Sequence, residues 1–478
     1  MNTTSDPTSA PAGAQDTPAG GAKLGAVVGL LVFFELTSGI LQGSVLPLIP
    51  GIRDDLSIST GNALWITATQ FLFAAVCVPV FGRLGDLYGH RRMLRISLVS
   101  IAVGCVLCAL APNLTVFLLG RALLGPLAAL LPLEIGLVRD RLGVAEGRRA
   151  VSWLVGALTL GSVLGTAATG PLHSALGGDV RSTLWVLAVI AVGCALLSFF
   201  PRIPETRVLA PGRMDWTGSA LLGLGLVSLL GICSQGNSLG WNSPVVLGGL
   251  VLAVTMLTAW VRVSLRNPNA LVDVRAMANR AVAPHYVSGF VLGATLLGGQ
   301  AVAVAFLDAR PEAAGYGFGL AAWEISLWMA VPMVLAFATA STSSSVARIM
   351  GYRNMLVLAF SLIAGGFGIQ IAGTGTVGLW ATGYAVAGAG FGLALGGLPT
   401  VIVEASARDR AASATAIYNN LKTVGGSVAG AASATLFATF LVAGTQIPAL
   451  TSYLIIWGFC AALGLVSVVL TRRSNTGR

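Results

Sequence analysis

Fourteen long apolar runs, separated by short polar punctuation, leave this chain few ways to fold. A helix needs about 20 largely apolar residues to cross about 30 Å of hydrocarbon. The runs predict membrane helices over Val27–Ile49, Trp65–Phe81, Leu98–Ala111, Val116–Val138, Ala150–Leu172, Leu184–Phe200 and Trp216–Cys233. They continue over Val245–Val263, Ala283–Leu307, Ala321–Ala340, Met355–Ala372, Leu379–Val403, Ala412–Leu441 and Ser452–Leu470. Leu98–Ala111 is short for a span, so its helix is expected to begin near Met93. Only 10% of the 478 residues are charged, against about 25% in a soluble domain, too few to clothe a soluble chain of this length. The fold class is an all-α polytopic membrane protein.

Charge sets the orientation. With the N-terminus placed in the cytoplasm, 23 of the 28 Lys and Arg residues fall in inner loops or tails and three, Arg53, Arg181 and Arg310, fall outside. Arg121 and Lys422 stay in the membrane. Moving the count by one helix would destroy this positive-inside asymmetry, so both termini are expected in the cytoplasm. The same pattern explains the net charge of +10 without a nucleic-acid partner. Residues 1–22, rich in Thr, Pro, Ala and Gly, are expected to form a disordered cytoplasmic tail. They lack the charged start and short apolar stretch of a cleaved signal peptide, so the first helix serves as its own insertion signal. Arg-heavy, Lys-poor, Ala- and Gly-rich composition fits a bacterial chain with a high-GC genome.

No catalytic constellation stands out. His90, His173 and His285 are scattered, and the six cysteines all lie in apolar runs. Cys105 and Cys108 form a C-x-x-C with no second pair nearby, which reads as packing rather than metal binding. The chain has no G-x-x-x-x-G-K-[ST] phosphate loop. An embedded enzyme would need acids and histidines clustered at one depth. No cofactor and no metal are expected.

The sequence repeats itself. Gly89, Arg91, Met93 and Leu94 align with Gly351, Arg353, Met355 and Leu356 at an offset of 262, and Gly161–Gly165 aligns with Gly426–Gly430 at 265. Two echoes in one order imply two related halves, a known transporter plan. The domains are then a six-helix bundle over 23–201, a surplus helix pair over 214–264, a second six-helix bundle over 281–471, and a tail over 472–478. The surplus pair carries little ionisable chemistry and is expected at the bundle edge.

The loop after the second helix reads Gly82-Arg-Leu-Gly-Asp86-Leu-Tyr-Gly89-His-Arg91-Arg92. It matches G-x-x-x-D-R/K-x-G-x-R/K-R/K except at Leu87, where the pattern has a basic residue. Arg121 and Gly125 match an R-x-x-x-G element in the fourth helix. Met214-Asp-Trp-Thr-Gly218, Gly240-Trp-Asn-Ser-Pro244, Asn267-Pro268 and Leu271-Val-Asp-Val274 surround the surplus pair. On these residues the chain, over roughly 25 to 470, resembles the major facilitator superfamily, specifically its fourteen-helix drug:proton antiporter branch. The fifth-helix pattern G-x-x-x-G-P-x-x-G-G is only partly kept. Gly161 and Gly165 are present, Thr166 replaces Pro, and Gly170 and Pro171 follow. Ser38 stands where the branch often has Asp. The resemblance implies the major facilitator fold, two six-helix bundles plus two extra helices. It also implies that an acid near the inner end of the fourth helix, Asp140 with a share from Glu134, meets the loop motif. Within that loop, Asp86 is expected to cap a helix or accept bonds from Arg91 or Arg92.

Buried ionisable groups cost about 2.5–3.5 kcal/mol at the bilayer centre on insertion scales, so each needs a reason. Glu35 lies about 15 Å deep by helical rise. It is expected within reach of Arg121, as a proton- or substrate-coupling pair or as a permanent staple of the first and fourth helices. Lys422, with Asn419 and Asn420, forms a possible second-half site that meets an anionic group or Glu404. Glu324 and Asp308 are expected to be solvated. The function expected is a secondary active transporter, working as a monomer in the plasma membrane and exchanging small amphipathic compounds for protons. A uniporter or symporter and, in a different class, a non-transporting membrane sensor are the alternatives.

Overall fold

The computed structural model describes residues 19–139, 144–199, 214–240, 242–267, 270, 274–277, 282–405 and 411–473. Asp140 and Arg141, Arg202, Arg207, Arg213, Arg280, Arg408 and Arg410 lie outside them, as does most of the N-terminal tail. Among the described residues, eleven helices are long and apolar enough to cross a membrane. One of these, Ala322–Ala372, is two spans joined through Gly351, whose φ of 80° and ψ of 151° are not helical. Trp216–Leu239 and Ala411–Thr439 complete fourteen spans. Helices are the expected solution, because hydrocarbon offers the backbone no outside partner.

The spans are α1 (Ala19–Ser44, extended through Leu46–Leu48 and Ile49–Asp55), α2 (Thr60–Tyr88) and α3 (His90–Leu110). Next are α4 (Leu114–Leu123 and Leu127–Arg139), α5 (Val144–Ala175), α6 (Val180–Leu197), α7 (Trp216–Leu239) and α8 (Pro244–Arg266). The second half holds α9 (Ala283–Leu296 and Gly299–Asp308), α10 and α11 (the arms of Ala322–Ala372), α12 (Val377–Glu404), α13 (Ala411–Thr439) and α14 (Leu450–Arg473).

Two boundaries differ from expectation for local reasons. The first helix runs on to Asp55 instead of stopping near Ile49. Pro47 and Pro50 each sit in the first turn of a new short helix, where a missing N–H costs nothing. The fourth span breaks at residues 124–126, where Leu124 caps the first segment and Pro126 follows. The third helix starts at His90, a few residues before Met93, because Gly89 with φ 102° and ψ 130° ends α2 and turns the chain.

In the first half α1 packs along α5, α2 against α4, and α3 against α4 and α6. Small residues allow the close approaches. A Cβ on Gly161 would meet the Leu36 carbonyl, and one on Gly165 the Ile40 carbonyl. In the second half α9 packs along α13, where Gly425 lies against the Phe290 carbonyl. So α5 on α1 is repeated as α13 on α9. Gly390 approaches α11 and Gly388 approaches Pro332 of α10. Phe306 anchors an aromatic cluster, with ring centroids 4.9 Å from Trp457, 5.3 Å from Tyr453 and 5.8 Å from Trp380. The surplus pair is held by α7, which contacts both α2 and α13, and α8 packs on α7. Asp215 caps α7 by accepting from the Gly218 N–H at 2.9 Å, and Ser243 caps α8 ahead of Pro244.

Candidate functional site

The two halves join on the face away from the arginine-rich loops. There α5 meets α10: the Gly170 N–H donates to Ser326 Oγ at 2.9 Å, and a side chain at Gly170 would strike the Ala322 carbonyl. Thr166, standing where the family pattern has Pro, donates to the Gly43 carbonyl at 3.3 Å and contacts Met333 Sδ at 3.3 Å. It therefore ties α5 to α1 and to the other half. Thr169 donates to the Gly165 carbonyl, and Pro171 lies one step beyond the α10 contact. On the other seam, α13 meets α2 through Ser427 Oγ, which donates to the Ala68 carbonyl at 3.0 Å, and through Gly61 against Ala434. At the end of α1, Arg53 reaches across to Asp308 of α9 at 2.5 Å. Asp308 is thus paired, not simply solvated. Glu324 accepts from the Ala321 N–H at 2.9 Å. Outside the spans, Asp179 caps α6, and bonds from the Ser182 side chain and backbone hold its carboxyl below the usual range.

The expected Glu35–Arg121 pair does not form. Arg121, 2% exposed, donates from Nε to the Ile66 carbonyl at 3.0 Å and from its guanidinium to Gln70 Oε1, both on α2. Glu35 instead faces Glu134 of α4. Direction explains the difference. α4 runs against α1, and the extension of α1 to Asp55 moves Glu35 toward the arginine-rich side. Thirteen residues of α4, about 20 Å of rise, separate Arg121 from Glu134. Glu35 and Glu134 are 1% and 0% exposed, and none of their four oxygens accepts a hydrogen bond from a donor among the described residues. Cys194 of α6 lies beside Glu134. Glu134 is therefore an interior group and not a companion of the loop motif; Asp140 falls outside the described residues.

The loop motif is built differently from expectation as well. Asp86 pairs with His90 (Oδ1–Nε2 3.3 Å), one turn on, instead of with Arg91 or Arg92. The His90 ring fills the space at Gly85 and Gly136, so it knits α2, α3 and α4 together. Its position directly after Gly89 was the available signal. Gly82 has no neighbour within 4 Å of a built Cβ, and neither has Gly351. In the second half, Lys422 Nζ donates to Asn419 Oδ1 at 3.3 Å and lies 5.5 Å from the Tyr418 ring centroid, a cation–π distance. It does not reach Glu404. Asn420, one turn-step away, is buried.

The family model described as Major Facilitator Superfamily matches residues 31–430. An uncharacterized MFS-type transporter of Mycobacterium tuberculosis is 29% identical over 461 residues, which cover 91% of this chain and 63% of that protein. The chain thus spans less than two thirds of that relative's length. The probable actinorhodin transporter of Streptomyces coelicolor is 28% identical over 86% of this chain and 72% of its own. The puromycin resistance protein pur8 of Streptomyces alboniger is 31% identical over 50% of this chain and 48% of its own. Among solved structures, the peptide transporter POT in complex with sulfate matches with a TM-score of 0.66 at 16% identity over 94% of each chain, a likeness of fold alone. Fourteen spans in two repeated bundles, the glycine-turned loop and a family match across most of its length place the chain in the major facilitator superfamily.

Proposed function

We propose that the chain is a secondary active transporter of the bacterial plasma membrane, with cytoplasmic termini, that exports small amphipathic compounds in exchange for protons. It works as a monomer and draws on the proton gradient without a cofactor. The observation that carries this reading is the one-sided junction between the halves. Small-residue contacts and the Arg53–Asp308 pair join the halves on the face away from the arginine-rich loops, while a side chain at Gly82 or Gly351, on the loop face, would meet no neighbour within 4 Å. Contacts of this kind are weak enough to exchange for a mirror set, which is what alternating access requires. The buried carboxyl of Glu35 supplies a group that can carry a proton through the cycle. Lys422 and Asn419 supply a cation and an amide beside an aromatic face, suited to an anionic or carbonyl group of the substrate. The relatives named for actinorhodin and puromycin support a transport role and provide probes.

The test is flux of actinorhodin and puromycin into inside-out proteoliposomes with an imposed pH gradient. Accumulation against the substrate gradient, abolished by collapsing the pH difference, is expected for one or both. Flux indifferent to the pH difference would instead identify a uniporter.

A further inference from the structure

Glu35 and Glu134 are buried side by side between α1 and α4, and among the described residues no Lys or Arg pairs with either. We propose that these two carboxyls form one proton-binding site, which keeps at least one proton while sealed and releases it when α1 and α4 part. This rests on the reading of the chain as a proton-coupled transporter and names the place where the proton is held.

The geometry leaves few alternatives. Two ionised carboxylates facing each other in an apolar interior repel and lack water, and one of them must then stay protonated. A proton between them makes an O–H···O⁻ bond, the strong charge-assisted kind, and satisfies oxygens that otherwise have no donor. The surroundings offer no rival. From α6 the titratable group beside Glu134 is Cys194. From α3, His90 packs at Gly136, two residues along, but is paired to Asp86 of α2. Arg121 is committed to Ile66 and Gln70 of α2, with the Cys105 and Cys108 thiols of α3 nearby. Within α1 and α4 the remaining charged residues lie toward the ends, Lys23, Arg53, Asp54 and Asp55 on one and Arg139 on the other.

The fourth span also has the joint that release needs. Leu114–Leu123 is clamped to α2 through Arg121, and the break at residues 124–126 separates it from Leu127–Arg139, which carries Glu134. The second segment also packs on α2 and α3, and the proposal requires it to tilt against α1 about this break. The proton leaves as H⁺ to water admitted between the segments, the pair becomes more negative by one charge, and the return stroke reloads it from the opposite side. No bond other than O–H is made or broken. Substrate does not touch the pair in the sealed state, so coupling passes through helix movement and not through competition for one carboxylate.

Glu35→Gln, Glu134→Gln and the double variant test this in proteoliposomes, with puromycin as probe and expression matched. Each single variant is expected to lose roughly tenfold or more of the gradient-driven accumulation, while counterflow at equal pH on both sides survives. The double variant should be no worse than either single one, since the two groups act as a unit. Infrared spectra of the purified full chain at neutral pH give an independent reading. The parent should show a protonated-carboxyl stretch that is absent from the double variant. Glu134→Gln accumulating substrate as well as the parent, or a protonated-carboxyl band unchanged in the double variant, overturns the proposal. If the parent itself ignores the pH gradient, the transport reading fails, and the infrared band still decides whether the pair holds a proton.

Discussion

Arg121 shows how much a single buried side chain can mislead a sequence reading. With the first helix ending at Ile49, the long Arg121 side chain would lie within reach of Glu35, and opposite charges at similar depths invite pairing. The guanidinium instead spends its donors on a carbonyl and an amide of α2. Its planar fork suits two acceptors at once, whereas Lys offers a point charge. Arg121→Lys should therefore lower the thermal midpoint of the purified protein. Arg121→Ala, which strands buried acceptors, should lose about 1–3 kcal/mol in a reversible unfolding assay. Asp179 gives the pH counterpart. Its carboxyl is held below its ordinary value by Ser182, so the folded state gains from its ionised form. That gain is present above the ordinary carboxylate range near 3.8 and is lost as pH falls below it. Asp179→Ala should lower the thermal midpoint at neutral pH, and the difference should close on acidification. The acids and bases themselves were legible as candidates because the apolar runs make every ionisable residue conspicuous. Their partners were not, because pairing depends on helix direction and on breaks of two or three residues.

At the scale of the element, the two loop glycines carry the plainest evidence of duplication. Gly89 and Gly351, 262 positions apart in sequence, adopt nearly the same conformation, φ 102° and ψ 130° against φ 80° and ψ 151°. This region is almost closed to residues with a Cβ. Gly89→Ala and Gly351→Ala should each cost about 1–3 kcal/mol, read as a fall in the thermal midpoint. Gly82→Ala, which meets open space, should leave it unchanged. A sequence comparison could find this pair because the flanking Arg, Met and Leu repeat with it. The role of Thr166 was out of reach. A Thr in place of the family's Pro reads as a lost kink, and only the fold shows its hydroxyl bonded to α1 beside a methionine of the other half.

For the molecule as a whole, the proposed alternating access requires the joined face to open and close in each cycle. Arg53→Cys with Asp308→Cys places two thiols where the ion pair now bridges the halves. Joining them with a short, cleavable bifunctional reagent should stop substrate flux, and cleaving the tether should restore it. Flux that continues while the tether is intact would show that this face does not part. The surplus helices give the two seams unequal surroundings. The seam between α2 and α13 is roofed by α7, where a Cβ on Gly223 would lie 3.6 Å from Val76, and α8 lies outside it. The seam between α5 and α10 has no such cover among the described residues. A greasy molecule dissolved in the surrounding leaflet thus touches the bare α5–α10 seam on one flank and meets α7 and α8 on the other. Photoactivatable lipid probes should accordingly label α5 and α10 near their junction and spare the roofed flank.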